Sequence, residues 1–150
     1  MKISCIAIDD EPLALDLLTK FIEQTPFLSL QGKFSNAIEA LSYINQQEVN
    51  LIFMDIQMPD LSGMELARIL DGKKDSGTTR VIFCTAYHQF ALEGYKVEAL
   101  DYLLKPYSYE DFLTAATKAY QYFGRIGTLA QPSLPTTPAA SADYIFLKVE

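Results

Sequence analysis

Basic residues are scarce in this chain: 12 lysines and arginines face 19 aspartates and glutamates, giving a net charge of −7 and a pI near 4.6. A nucleic-acid-binding surface of any size normally tips the balance the other way, so any control of DNA is exerted by residues outside this stretch. Cysteine is sparse too. Cys5 and Cys84 each sit in a short apolar run, 3–8 and 81–85, which reads as two buried, inert thiols. The N-terminus leads straight into a strand pattern without a charged segment and apolar core of a secretion signal, so no oxidising compartment and no disulfide are expected. No apolar run approaches the ~20 residues of a membrane span, and the expected compartment is the cytoplasm. Neither G-x-G-x-x-G nor G-x-x-x-x-G-K-[ST] occurs, which removes the common nucleotide cradles. The single histidine, His88, follows an apolar run and is read as a surface residue without chemistry.

What the chain does have is a core. Hydrophobic residues make up 49% of its 150 positions, enough for one well-filled domain with room for an extension. Short apolar runs alternate with helical periodicity, which predicts an α/β fold built on a parallel sheet. The first run, Ile3 to Ile8, is closed by Asp9-Asp10-Glu11-Pro12, with proline at a helix start and acids at the positive end of its dipole. Leu13, Leu17, Leu18 and Phe21 give that helix one apolar stripe, ended before Pro26. Phe27 to Phe34 is a second strand weakened by Gly32, and Asn36 caps a second helix. Leu51 to Asp55 is the third strand, stopped by Pro59, with a short helix after Gly63. Arg80 to Thr85 and Ala99 to Leu104 are the fourth and fifth strands, with a short helix over His88 to Gly94 between them. Phe112, Ala116, Ala119, Tyr120 and Phe123 mark a longer last helix. The expectation is five strands and five helices in alternation.

From residue 125 to 142 the composition changes to Pro, Ser, Thr and Ala, with Pro132, Pro135 and Pro138 and one charge, Arg125. That is linker composition. Residues 143–150 then open a new alternating pattern, Tyr144 to Val149, which cannot bury its own face alone. The expected organisation is a domain over 1–124, a linker over 125–142 and the first strand of a further domain over 143–150.

The polar residues fall in a telling place. Asp9 and Asp10 follow the first strand, Asp55 ends the third, Thr85 ends the fourth and Lys105 follows the fifth. In an open parallel sheet these ends share one edge, where ligands bind. Two carboxylates ~5 Å apart repel by about 3 kcal/mol at an effective dielectric near 20, so three together call for a cation. Oxygen ligands in this number suit Mg²⁺, and the absence of Cys and His from the group argues against zinc. A carboxylate can attack phosphorus to give an acyl phosphate. The metal and the Lys105 ammonium would neutralise the phosphoryl oxygens, and the Thr85 hydroxyl would donate to one.

Ile8-Asp9-Asp10-Glu11-Pro12, Met54-Asp55-Ile56-Gln57-Met58-Pro59 with Gly63, Thr85-Ala86 and Lys105-Pro106 together resemble the receiver domain of bacterial two-component response regulators, over residues 3 to about 123. The resemblance implies a doubly wound five-stranded parallel sheet in the order 2-1-3-4-5. It makes Asp55 the phosphoacceptor, fed by a phosphohistidine on a sensor histidine kinase, with Thr85 and Lys105 as its catalytic partners. It gives Mg²⁺ to Asp10 and Asp55 directly, to Asp9 mainly through water, and to the backbone carbonyl of Gln57. Thr85 and Tyr102 become a switch pair, Pro59, Gly63 and Pro106 become structural, and the Lys105–Pro106 bond becomes cis. Such a protein is a switch and not a turnover enzyme on an external substrate. The stretches 85–95 and 99–106 resemble the LytTR class in particular, whose effector is a β-rich DNA-binding domain; residues 144–148 are similar to that effector's first strand. DNA would thus be contacted only through an effector beyond this chain. Tyr107 stands where the family often has Phe, and Gly94 where a better helix former is usual. A homodimer through the fourth helix, fifth strand and last helix, where Tyr87, Tyr95 and Tyr102 cluster, is a further expectation.

Plainer readings stand beside these. The acids before Pro12 serve a helix N-terminus in any case, Met58-Pro59 with Gly63 is turn chemistry, and Tyr102 needs no switching role to sit half-buried on a strand. Gln57 and Tyr87 are marked only as rate modulators. A small-molecule phosphatase would commonly need a second carboxylate two residues after the nucleophile, where this chain has Gln57, and a cap for which no insertion is long enough. A degenerate receiver serving purely as an interaction module would lack site residues, and here all five positions are filled.

Overall fold

A computed structural model of the chain describes residues 2–58, 61–71, 79–86 and 99–130. Two units are distinguished, Met1–Tyr120 and Gln121–Glu150, and the sheet and its site belong to the first. Five strands, β1 (Ile3–Ile8), β2 (Leu28–Phe34), β3 (Leu51–Met54), β4 (Arg80–Thr85) and β5 (Asp101–Leu104), form one parallel sheet in the order β2-β1-β3-β4-β5. Four helices are found among the described residues: α1 (Pro12–Glu23), α2 (Ala37–Gln46), α3 (Gly63–Asp71) and α4 (Tyr109–Ala130). The helix expected over His88 to Gly94 and the strand expected from Tyr144 lie outside the described residues.

A parallel strand covered on both faces must be apolar on both, which is why β3 reads Leu-Ile-Phe-Met and is buried throughout. Alternation along the strands then splits the core in two. Ile6, Ile8, Ile52, Met54 and Phe83 pack with Ala37 and Ala40 of α2 and Leu66 and Ala67 of α3. On the opposite face Phe53 stacks on Phe112 of α4 at 5.0 Å, and Phe21 of α1 meets the same ring at 5.6 Å. Fully burying each such side chain contributes roughly 1.5–3 kcal/mol.

Local signals set the helix starts. Asn36 Oδ1 accepts the Glu39 N–H at 2.8 Å, the cap read from the sequence. Two reciprocal capping boxes went unread there. Ser62 Oγ accepts the Glu65 N–H at 3.1 Å while Glu65 Oε1 accepts the Ser62 N–H at 2.9 Å. Ser108 and Asp111 do the same for α4, both bonds at 3.1 Å. These amide and hydroxyl donors hold the Glu65 carboxyl below its usual range.

The start of β5 and the end of the last helix differ from the sequence reading, and β2 carries a bulge. The strand β5 begins at Asp101, two residues later than expected, although the Leu100 N–H already reaches the Val81 carbonyl at 2.8 Å. The pairing of β2 slips at Gln31: Cys5 faces Leu30 and Ile6 faces Gly32, so the weak glycine position is a bulge and the strand continues through it. The last helix runs past Phe123 to Ala130, so residues 125–130, assigned to the linker by composition, are helical. In the second unit Tyr122 and Phe123 meet edge to face at 5.0 Å.

Candidate functional site

Asp9, Asp55 and Lys105 each sit one step beyond a strand, Thr85 ends one and Asp10 follows Asp9; the sheet ladder itself places the first three. The Asp9 N–H donates to the Phe34 carbonyl at 3.1 Å, the Asp55 N–H to the Ile8 carbonyl at 3.1 Å and the Lys105 N–H to the Thr85 carbonyl at 2.8 Å. The side chains then converge. The Lys105 ammonium lies 2.7 Å from Asp9 Oδ2 and 3.1 Å from Asp55 Oδ2. Ligand oxygens of Asp9, Asp10 and Asp55 come within 4.8 Å of one another. Asp9 is 1% exposed, Asp55 8% and Thr85 wholly buried, whereas Asp10 faces solvent. The carboxylates and the ammonium that the sequence placed on one edge are therefore together, with Thr85 closing β4 beside them.

The backbone around Asp55 explains Gly63. The Gly63 N–H donates to the Ile56 carbonyl at 2.8 Å, bringing the start of α3 onto the strand end. A Cβ on Gly63 would collide with the Asp55 carbonyl oxygen and stand 3.0 Å from Ile56 Cα, so only glycine fits this approach. The Gln57 N–H donates to Asp55 Oδ1 at 3.3 Å, while the Gln57 side chain points to solvent. The Lys105–Pro106 peptide bond is cis. Pro59, Tyr87 and Tyr95 fall outside the described residues.

The electrostatics are those of a crowded, half-dry acid group. Burial raises the Asp55 carboxyl above its ordinary range; Lys105 works against this rise and the Asp9 charge adds to it. Burial alone would lower the Lys105 pKa, but its bonds and attraction to Asp9 and Asp55 outweigh that and lift it, which favours the charged ammonium. The candidate side-chain metal donors are all carboxylate oxygens, which fits a hard divalent cation and not a soft one. Three carboxylates whose ligand oxygens lie within 4.8 Å of one another could hold such a cation, which would neutralise their charge.

Tyr102 stacks on Phe83 with ring centroids 5.4 Å apart and packs against the core of the α2–α3 face. Its hydroxyl is buried without a hydrogen-bond partner among the described residues, and burial raises the phenol's pKa. The two cysteines are as inert as their runs implied, since burial pushes each thiol up to about 12. The sequence did not reveal that the Tyr107 hydroxyl faces the Cys84 thiol and opposes part of that rise. Among the described residues no helix is long and apolar enough to cross a membrane.

This arrangement agrees with what the chain resembles among known proteins. Residues 5–117 match the response regulator receiver domain, and the chain belongs to that family. It is 36% identical over 147 residues to an uncharacterized response regulatory protein of Vibrio cholerae serotype O1, covering 97% of this chain and 61% of that one. It is 37% identical over 116 residues to the sensory transduction protein LytT of Bacillus cereus, covering 77% and 46%. Among solved structures, the response regulatory domain of protein mrkE from Klebsiella pneumoniae superposes with a TM-score of 0.75 at 28% identity, covering 81% of this chain and 98% of that one. The chain spans about half the length of the curated relatives it matches.

Proposed function

We propose that this receiver is a phosphorylation-operated switch in which Asp55 accepts a phosphoryl group from the phosphohistidine of a sensor histidine kinase. The observation that carries the reading is the convergence of Asp9, Asp10, Asp55 and Lys105 at the carboxyl edge of the sheet, beside the end of β4 at Thr85. An Asp55 carboxylate oxygen forms the new O–P bond as the donor's N–P bond breaks, and the electron pair of that bond returns to the imidazole. The nucleophile is already partly desolvated, and Lys105 stands ready to neutralise phosphoryl oxygens. Asp10, Asp55 and the Gln57 carbonyl would hold Mg²⁺, with Asp9 beside it; when bound, the ion supplies charge neutralisation for the incoming group.

The −2 phosphoryl group would draw the Thr85 hydroxyl towards it. Tyr102, whose ring lies against Phe83, would report that movement to the face around β5, where Leu104 is exposed. A shift from 1:99 to 99:1 needs about 5.5 kcal/mol of preference, which charge-assisted bonds from Thr85 and Lys105 together with the metal can supply. We read residues 1–124 as the receiver, 125–142 as the connection and 143–150 as the start of a LytTR-type DNA-binding effector, so the whole protein would regulate transcription in the cytoplasm, as a homodimer through the β5 face. Incubation with acetyl phosphate and Mg²⁺ followed by intact-mass measurement tests the core of this reading. One phosphate adduct is expected on the wild type and none on Asp55→Ala; an unmodified wild type, or an adduct that persists in the variant, removes Asp55 from the role.

A further inference from the structure

Phe21, near the end of α1, is the meeting point of three rings from the stretch that follows β5. Tyr107 lies 5.9 Å from it, Tyr109 5.4 Å and Phe112 5.6 Å, centroid to centroid. Hydrogen bonds close the same contact. The Thr25 N–H turns back to the Ile22 carbonyl at 3.1 Å, so the Phe21 carbonyl at the helix end takes the Thr25 hydroxyl instead, at 2.8 Å. With its one proton used there, Thr25 Oγ1 accepts from the Tyr109 hydroxyl at 3.0 Å, and the Gln24 carbonyl stands 3.3 Å from the same hydroxyl. Thr25 is 1% exposed, so its side chain holds this contact away from water. Both ends of the clasp lead to one ion pair. Asp9 stands in the turn that enters α1, and Lys105 opens the segment that enters α4 at Tyr109. Their charged groups meet at 2.7 Å.

We propose that Tyr109 is a positioning residue for Lys105: its hydroxyl, seated on Thr25, holds segment 105–109 against the end of α1 and so fixes where the ammonium stands. The effect on rate rests on the phosphoryl-transfer reading above, while the effect on the segment rests on the hydrogen bonds themselves. Phenylalanine at 109 keeps the ring on Phe21 and loses only the hydroxyl, so the packing stays and the segment gains freedom. An ammonium that must meet a phosphoryl oxygen loses rate as its position spreads, because ångström-scale misplacement weakens the transition-state contact. Tyr109 touches neither the acids nor the phosphoryl group and acts through the chain between itself and Lys105.

The test compares the full chain as wild type, Tyr109→Phe, Thr25→Val and Thr25→Ser. Serine keeps the hydroxyl that Tyr109 bonds, and valine keeps the shape without it. Two quantities are read: the initial rate of phosphate uptake from acetyl phosphate with Mg²⁺, by intact mass, and amide hydrogen exchange by NMR. The Lys105 amide, bonded to the Thr85 carbonyl, is compared with the Asp55 amide, bonded to the Ile8 carbonyl. Tyr109→Phe and Thr25→Val should each speed Lys105 exchange about fivefold or more and leave Asp55 within about twofold. Both should slow phosphate uptake about threefold or more. Thr25→Ser should return both readings to within about twofold of wild type. Equal acceleration at Lys105 and Asp55, Thr25→Ser behaving as Thr25→Val, or unchanged uptake in Tyr109→Phe leaves the hydroxyl a helix-end bond and overturns the positioning role. Wild type that takes up no phosphate sinks the switch reading instead, and the exchange pattern then decides by itself whether the hydroxyl holds the segment.

Discussion

The two edges of the sheet are built on opposite principles. At the amino edge, Asn50 Oδ1 accepts both the N–H and the hydroxyl of Ser4, at 3.1 and 2.9 Å, and the Asn50 N–H is shared by the Ser4 hydroxyl and carbonyl oxygens. The Arg80 N–H closes onto the Asn50 carbonyl at 2.9 Å, and the Thr79 hydroxyl onto Val49 at 2.7 Å. Every group named there is neutral in its bonding and satisfied by a neighbour. At the carboxyl edge three acids crowd one ammonium, and a buried carboxyl is held above its ordinary pKa. One edge fastens the sheet, while the other keeps charge available for a ligand. Stability and chemistry are thus separated by the length of a strand.

Substitutions that break packing or neutral hydrogen bonds and those that remove a crowded charge should therefore differ in sign as well as size. The largest effect is expected from Gly63→Ala, whose methyl group must push α3 off the Asp55 carbonyl, at about 3 kcal/mol of stability. Chemical denaturation measures it, and a cost below about 1 kcal/mol would show that this approach relaxes freely. Next comes Asn50→Ala, which strands the Ser4 hydroxyl and amide and should cost about 2 kcal/mol by the same measurement. Asp55→Asn should instead stabilise the metal-free protein, by no more than about 1 kcal/mol because solvent at the site screens the charge.

The sign of that third effect follows from the raised carboxyl pKa. Ionised Asp55 is disfavoured in the fold, so the penalty is fully present at pH above the folded value and vanishes below the unfolded value of about 3.9. The gap between Asp55→Asn and wild type should accordingly close on acidification, read as thermal midpoints at pH 7 and pH 4. A gap that widened in acid would reverse the assignment. The smallest effect is expected from Lys118→Ala: its pair with Asp101 at 3.2 Å is solvent-exposed, and its loss should change stability by less than about 0.5 kcal/mol.

Much of the carboxyl edge was legible in the sequence because burial on both faces makes parallel strands read as apolar runs, and Asp9, Asp55, Thr85 and Lys105 stand at their ends. The order of the strands came from the family likeness and not from periodicity. What stayed hidden was set by contacts between distant residues. Nothing near Asp9 announces that Lys105, 96 positions away, would occupy one of its oxygens. Gly63 read as a turn residue, whereas its need is the space beside Asp55. The helical pattern of the last helix reads only to Phe123, but no described glycine adopts a positive φ, so neither Gly124 nor Gly127 supplies the left-handed cap that would stop α4. The Ser62–Glu65 and Ser108–Asp111 boxes were open to reading from their spacing alone.

The three backbone bonds that carry Asp9, Asp55 and Lys105 are rungs added to the sheet, and this separates two kinds of sequence change. Loops that leave those rungs can lengthen, shorten or alter their charge without shifting the acids relative to the ammonium, because the strands set that spacing. A receiver built this way can be retuned for a different partner through its loops while its chemistry keeps the same dimensions.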